Sequence, residues 1–590
     1  MFGAAGNVGR HTVAEALSCG HEVTAVVRDL PAGVVARAGD AADTGDVARL
    51  GAGQDVVISA VRLAPGREGE LVRATGALLA GVAGTGARPC PARTGPTGEP
   101  CTRRAPGRES LVRGLLPEAD VSDEFDVIVI GAGPAGENVV DRAVRGGLTA
   151  AVVEPRLAGG ECSYWACVPS KALLRPVDLA AEVARVPGLS LGPVDAGKVL
   201  AHRDEAVSHY DDAGQVRWIE DVPAEFVRGR GRLDGARRVR VSAPDGSERV
   251  LTARHAVVLA TGSTAAVPPV PGLLEAAPWT SHEVTAATSV PERLAVIGGG
   301  VVACEMAQAM HGLGARQTTL LVRGDRLLPR MEPFAGELLA ESFADSGIDV
   351  RMRTSAVRVE RPEPGGKVTV HLPEGPPLEA DELLVATGRT PATAHLGLET
   401  VGLPGQGTVE VDDSMRATGV EDGWLYAVGD VNGRALLTHM GKYQARVCGD
   451  VIAARARGRR DDLPAMRASA SAYGPPQVVF TDPQICAVGR TEAAARAAGF
   501  PVRVAEYDLS SVTGAYLLGD GYRGRAKMVV DEERRVPLGM TFAGPGTAEL
   551  LHSATIAVTG EVPLDRLWHA VPSFPTVSEV WLRLLEAYGL

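Results

Sequence analysis

The amino-acid sequence predicts an α/β protein built on two nucleotide-binding units, with an incomplete third unit before them and an α+β segment after them. Three features carry that expectation. Apolar strand-like runs lead into glycine turns and then into helical runs at residues 125–147 and again at 294–305, the local pattern of a dinucleotide-binding crossover. A cysteine pair, Cys162 and Cys167, with Lys171 four residues further on, follows directly on the first unit. From Gln477 onward, strand and helix patterns alternate without another glycine turn.

At 590 residues the chain is too long for one domain and predicts three to five. Its 71 glycines and 4% aromatic residues suit a protein whose backbone approaches ligands closely in many places. A net charge of -12 argues against nucleic acid or an anionic membrane surface as the main partner. Eight cysteines, scattered apart from the one pair, do not form a secreted disulfide framework. There is no signal peptide and no apolar run near the roughly eighteen residues that a span requires. A soluble, cytoplasmic protein is expected, and in a reducing compartment a disulfide that persists is usually catalytic or redox-sensing.

In chain order, Gly3, Gly6 and Gly9 form a glycine loop, followed by a helical run to Gly20 and a strand at 22–28. Residues 54–59 suit a third or fourth strand and 69–84 a helix. This stretch resembles the start of atypical short-chain dehydrogenases, in which Arg28 would meet a 2′-phosphate. Only Met1 and Phe2 precede the loop, so the strand that should lie centrally under a cofactor is missing. Residues 1–86 are therefore read as an NAD(P)-binding-like fragment, with a vestigial fusion or a misplaced gene start expected rather than a working site. Residues 87–120, rich in Pro, Arg, Gly and Thr without periodicity, read as a disordered linker.

The second unit is complete. Residues 125–130 form a buried strand, and Gly131, Gly133 and Gly136 supply the tight turn, the close approach to a pyrophosphate and the helix–strand packing. Glu154 ends the next strand, where an acid binds ribose hydroxyls. Then come the cysteines. Five residues of ideal helix separate Cα atoms by about 8.7 Å, beyond the roughly 7 Å a disulfide tolerates. If Cys162 and Cys167 bridge, the backbone between them is distorted; otherwise they are two reduced thiols packed in a core. A bridge this short adds little stability, so its use would be to accept and release two electrons.

Residues 159–171 match the pattern G-G-x-C-x4-C-x-P-S-K. In this the chain, over residues 125–590, resembles the flavin-dependent pyridine nucleotide-disulfide oxidoreductases, the group of dihydrolipoamide dehydrogenase, glutathione reductase and mercuric reductase. The resemblance implies an FAD-binding domain at 121–290 and 391–470, an NAD(P)H-binding domain at 291–390 and a dimerisation domain at 471–590. FAD would lie on Gly131, Gly133, Gly136, Glu154 and Gly160. Cys162 would exchange with substrate, and Cys167 would lie beside the flavin. Thr261 and Gly262 end the strand that leaves the flavin domain, and Asp430 would hold the ribityl chain. The second glycine turn, Gly298 and Gly300 with Ala303 in the third glycine's place, would take the nicotinamide donor, with Glu305 beside the nicotinamide and paired with Lys171. Gly388 closes that domain.

An acid after residues 318–322 would select NADH; Val322 stands there instead, and Arg323 and Arg326 offer a cationic fork. NADPH is the expected donor, with NADH possible. The resemblance further implies a homodimer in which each active site borrows residues from its partner.

Departures from the family pattern bear on the acceptor. Where its disulfide reductases carry a histidine held by a glutamate, for general acid–base work, residues 573–579 read Ser-Phe-Pro-Thr-Val-Ser-Glu. Phe574 replaces the histidine, Glu579 remains, and His569 lies five residues earlier. Mercuric reductase lacks that histidine too but carries a C-terminal cysteine pair; residues 584–590 contain none, and no metal site is expected. The expectation is NADPH-driven electron transfer through FAD and Cys162–Cys167 to a small acceptor, quinone or dye favoured, with dihydrolipoamide dehydrogenase or another disulfide reductase as the alternative. A nucleotide-sensing module with little turnover is a second alternative.

Overall fold

The structure, a computed structural model, describes residues 123–590 and, before them, four short strands. The chain divides into two compact units, 1–119 and 120–590. In the first, β1 (Val26–Val27) pairs in parallel with β2 (Arg37–Ala38), and β3 (Val56–Ser59) with β4 (Arg88–Pro91). The strands expected at 22–28 and 54–59 thus appear in part. The glycine loop, the two helices and Arg28 lie outside the described residues. Arg88–Pro91 corrects the expectation of a linker beginning at residue 87: it is a strand, and its prolines are tolerated because a strand in a two-stranded sheet has one side that donates no ladder bond.

The second unit opens with β5 (Glu124–Ile130), α1 (Pro134–Arg145) and β6 (Ala150–Glu154). Residues 127–130 of β5 are all buried, as a strand covered on both faces must be. The cysteine segment is two helices, α2 (Gly160–Tyr164) and α3 (Cys167–Arg185). Beyond them β7 (Glu225–Arg228), β8 (Arg230–Leu233), β9 (Arg238–Ser242) and the long β10 (Glu248–Leu259) complete the first nucleotide-type domain. β10 belongs to two layers. Its first half pairs antiparallel with β9, while its second half runs parallel to β5 and to β20 (Leu425–Ala427). The parallel order β7-β6-β5-β10-β20 puts the first glycine turn at the C-terminal edge of the central strands, where open α/β sheets bind ligands.

Two crossovers join this domain to the next, and they pair with each other as β11 (Ser263–Ala265) and β19 (Arg389–Pro391). α4 (Ser281–Thr285), capped by Thr280 and Glu283 in a capping box, follows the first crossover. The second nucleotide domain holds β12 (Arg293–Ile297), α5 (Val301–Gly312), β13 (Gln317–Val322), β14 (Asp349–Met352) and β18 (Glu382–Val385), in the parallel order β14-β13-β12-β18. Three antiparallel strands over Arg358–Ala380, not read from the sequence, cover it.

After β20, α6 (Thr438–Ala456) packs against α1. The last domain is a five-stranded antiparallel sheet whose centre is Val536–Ala543. That strand and Ile485–Gly489 also went unread in the sequence. Helices Leu551–Thr559 and Val580–Tyr588 cover the sheet, each preceded by a short 3-10 turn, where the sequence offers helical runs near 546–560 and 576–588. Among the described residues no helix is long and apolar enough to cross a membrane.

Candidate active site

The first glycine turn is sterically committed. Gly131 has φ +106°, and a Cβ there would lie 2.4 Å from the Ala260 carbonyl oxygen; a Cβ on Gly136 would lie 1.9 Å from the Gly131 carbonyl oxygen. Only glycine fits either place. Glu154 receives the Ala132 N–H at 3.0 Å and the Arg156 N–H at 2.8 Å, and burial raises its pKa. Gly160 begins the cysteine segment against Gly133: a Cβ on Gly160 would stand 2.8 Å from the Gly133 Cα. Two polar atoms in this region, Thr261 Oγ1 and Glu137 Oε1, are buried with no hydrogen-bond partner among the described residues. Burial pushes Glu137 up to about 7 against the pull of Lys442. A glycine-walled cradle with an acid at one end and unspent polar atoms inside fits a dinucleotide such as FAD.

The break between α2 and α3 resolves the spacing of the cysteines. Trp165 (φ -138°, ψ 9°) and Ala166 (φ -139°, ψ -99°) leave the helical region, so the two thiols are not held at the separation of one continuous helix. Both are free and half-buried. Cys167, first residue of α3, has its thiol pulled down to about 6. The Cys162 sulfhydryl is the largest cause; burial opposes it, and the Thr438 hydroxyl at 3.3 Å and the Lys171 charge assist. Cys162 is pushed up, by its bond to Cys167 and by burial. The pair therefore carries its negative charge on Cys167, the sulfur at a helix N-terminus.

One turn along α3, Lys171 Nζ meets Glu305 Oε2 at 2.7 Å. Glu305 is buried on the first turns of α5, and its Oε1 accepts the Phe480 N–H at 2.9 Å. Lys171 Nζ also lies 4.8 Å from the Phe480 ring centre. The cysteine helix and the helix that follows the second glycine turn thus meet here. In that turn, Gly298 has φ +140° and a Cβ on it would be 2.4 Å from the Ala386 carbonyl oxygen, while Gly300 faces open space. At the end of β13, Arg323 is exposed and makes no ion pair among the described residues, whereas Arg326 Nη2 donates to the Pro329 carbonyl at 3.0 Å. The two arginines stand apart in their bonding rather than as a symmetrical fork. Gly388, with φ +138°, ends the domain.

Sequence reasoning missed a cluster built on Glu161, the neighbour of Cys162. Glu161 Oε1 meets His282 Nε2 at 2.6 Å and its Oε2 accepts from Arg389. Arg156 approaches His282 Nδ1 at 3.2 Å; a guanidinium only donates, so Nδ1 accepts and Nε2 carries the proton given to Glu161. Burial acts to raise the Glu161 pKa, but His282 and Arg389 outweigh it and hold the carboxyl low. The Trp165 ring stacks on His282 at 4.9 Å and 5°. The signal available was an acid beside a redox cysteine and an arginine directly after Gly388.

At the far end, Phe574 is 71% exposed, before a cis Pro575. Glu579 is buried; its Oε1 is taken by Arg583 at 2.5 Å, and its Oε2 has no partner among the described residues. His569 is exposed and its ring makes no hydrogen bond to the described residues. Glu579 therefore serves an arginine, not a histidine.

Comparison with known proteins agrees with this geometry. Residues 125–447 match the family described as pyridine nucleotide-disulphide oxidoreductase, 475–584 its dimerisation domain, and 3–88 an NAD(P)H-binding family. The chain is 34% identical to a mercuric reductase of Shigella flexneri over 510 residues, 83% of this chain and 85% of that one. It is 32% identical to a dihydrolipoyl dehydrogenase of Chlorobaculum tepidum over 476 residues, 79% of this chain and 97% of that one. Among solved structures it is similar to LpdA from Mycobacterium tuberculosis (TM-score 0.67, 26% identity, 79% and 100% covered). It shares its fold with the HOCl-induced flavoprotein disulfide reductase RclA from Escherichia coli (TM-score 0.68, 23% identity, 78% and 99% covered). The chain belongs to the class I pyridine nucleotide-disulfide oxidoreductases and is an FAD-dependent oxidoreductase.

Proposed function

We propose that the protein delivers electrons from NADPH to FAD, which shares them with the Cys162–Cys167 pair, and that its preferred final acceptor is a quinone or dye-like molecule that would draw on the reduced flavin, rather than lipoamide or glutathione disulfide, which would draw on the pair. Held in the cradle by residues such as Gly131, Gly136 and Glu154, FAD would supply two-electron chemistry between the nicotinamide and the thiols. The chain's own residues do the rest. Lys171 and Glu305 form the ion pair between the flavin and nicotinamide ends, and the Phe480 N–H keeps Glu305 from turning away. Cys167 is the thiolate held beside the flavin, and Cys162, the protonated partner, faces outward chemistry. Arg323 is the free cation for a 2′-phosphate, with Arg326 secondary because its guanidinium is already engaged. The dimerisation-domain match and the exposed Val571 and Phe574 support a homodimer.

The observation that carries the acceptor is Phe574. Where an acid–base group would protonate a departing thiolate there is an exposed aromatic ring, and the glutamate that would hold that group is bound to Arg583. Losing a positioned acid costs thiol exchange about 10²- to 10⁴-fold, whereas a flat acceptor can stack on the ring. Intact Cys162, and relatives named dihydrolipoyl dehydrogenase, favour disulfide reduction as the second reading. Side-by-side steady-state assays with quinone, lipoamide and glutathione disulfide, each with NADPH and NADH, decide. Lipoamide turnover equal to quinone turnover, and abolished in Cys162→Ser, would overturn the preference.

A further inference from the structure

Asp430 ends a chain of hydrogen bonds that starts beside the redox cysteine. Arg389, on the returning crossover, is anchored by Glu161 and by the Ser263 carbonyl at 2.6 Å. Through Nε it donates to Ser263 Oγ at 2.6 Å, and Ser263 donates its hydroxyl proton to Asp430 Oδ2 at 2.6 Å. The sense of the chain is fixed because a guanidinium has donors only. Ser263 Oγ accepts from Arg389, and its proton goes to Asp430. Asp430 Oδ1 takes no hydrogen bond from the described residues.

The groups facing Asp430 come from three elements: the Ser263 hydroxyl on β11 and the charges of Arg389 on β19 and Glu161 on α2. Burial pushes the Asp430 pKa up; Ser263 and Arg389 pull it back, and Glu161 pushes it further up. Glu161 thus helps by holding the guanidinium in place, not by its charge.

We propose that Ser263 and Arg389 are positioning residues for the flavin that act through Asp430, keeping its carboxylate charged and occupying Oδ2 so that Oδ1 alone is presented to a polyol hydroxyl of the cofactor. The proposal rests on the assignment of Asp430 to the ribityl chain. A hydroxyl bonds a carboxylate about twice as strongly as a neutral acceptor, so FAD affinity falls as pH drops through the Asp430 pKa. Removing Ser263 or Arg389 removes a group that lowers that pKa, and the acid limb of FAD binding must move to higher pH.

The test titrates FAD into flavin-free full-length protein by flavin fluorescence, from acid to neutral pH, for wild type, Ser263→Ala, Arg389→Met, Arg389→Lys and Asp430→Asn. Arg389→Met is expected to shift the acid limb upward by about one pH unit, which weakens FAD affinity by up to roughly tenfold on the wild-type acid limb. Ser263→Ala should shift it in the same direction, and Arg389→Lys, which keeps the charge, should restore part of it. Asp430→Asn should bind weakly with no acid limb. If Asp430→Asn binds FAD as tightly as wild type, the ribityl assignment itself fails. If it binds weakly, yet Ser263→Ala and Arg389→Met lose affinity equally at every pH or not at all, the assignment stands and the positioning role is overturned.

Discussion

The cysteine segment and the C-terminal segment belong to the same chemistry but are built differently. Around Cys167, a helix N-terminus, the Cys162 sulfhydryl, Thr438 and Lys171 act together to keep one sulfur ionised, and Glu305 is bound through both oxygens. Around Phe574 the described residues place no hydrogen-bonded acid–base pair: the ring is exposed, Glu579 Oε1 is taken by Arg583, and the His569 ring has no hydrogen-bond partner among them. On the proposed function, the contrast separates a built station for electrons at Cys167 from a C-terminal segment that offers an aromatic ring in place of a proton donor.

The strongest way to break that contrast is to remove Cys162. In Cys162→Ser, NADPH-dependent disulfide reduction should be undetectable while quinone reduction persists; equal loss of both would show that the thiol serves every acceptor. Next comes restoring the missing acid. Phe574→His combined with Arg583→Ala, which releases Glu579, should raise glutathione disulfide or lipoamide turnover by about 10²-fold. Phe574→His alone should gain less, since Glu579 Oε1 stays occupied.

A smaller effect is expected at the nicotinamide end. Arg323→Gln should weaken NADPH, read as its KM, by roughly tenfold through loss of a charge-assisted bond, and leave NADH unchanged. Arg326→Gln should do less. An NADPH preference unaltered in the double variant removes the assignment.

Smaller still is a shift in thiolate titration. Cys167 is ionised above its pKa of about 6, so any change that raises that pKa moves the acid limb of alkylation by iodoacetamide to higher pH. Cys162→Ala should move it most and Thr438→Val and Lys171→Met less, each of the latter by up to about one unit. The smallest expected effect is none: a chain beginning at Ser122 should bind FAD and oxidise NADPH like the full chain, since residues 120–590 form a compact unit by themselves.

Both glycine turns were legible in the sequence because each sits between a strand-like run and a helical run, whereas the cysteine pair, Lys171, Glu305 and Asp430 were picked out by the motif they share with the family. Strand Val536–Ala543 was not, although it is central to its sheet. It is nearly all buried, and a continuous apolar run has no period to distinguish it from a buried helix segment. Arg88–Pro91 was misread for the opposite reason, its prolines masking a strand.

The sequence by itself determined the family and the fold class, since these depend on residue types at fixed short spacings. Only the tertiary structure decided which charges meet. Lys171 reaches Glu305 across 134 positions and Arg389 reaches Glu161 across 228, and Thr438 comes to Cys167 across 271. The reason is physical. Local spacing constrains backbone geometry over a few residues, whereas the pKa of a thiol or carboxyl is set by whatever the fold brings within a few ångströms of it.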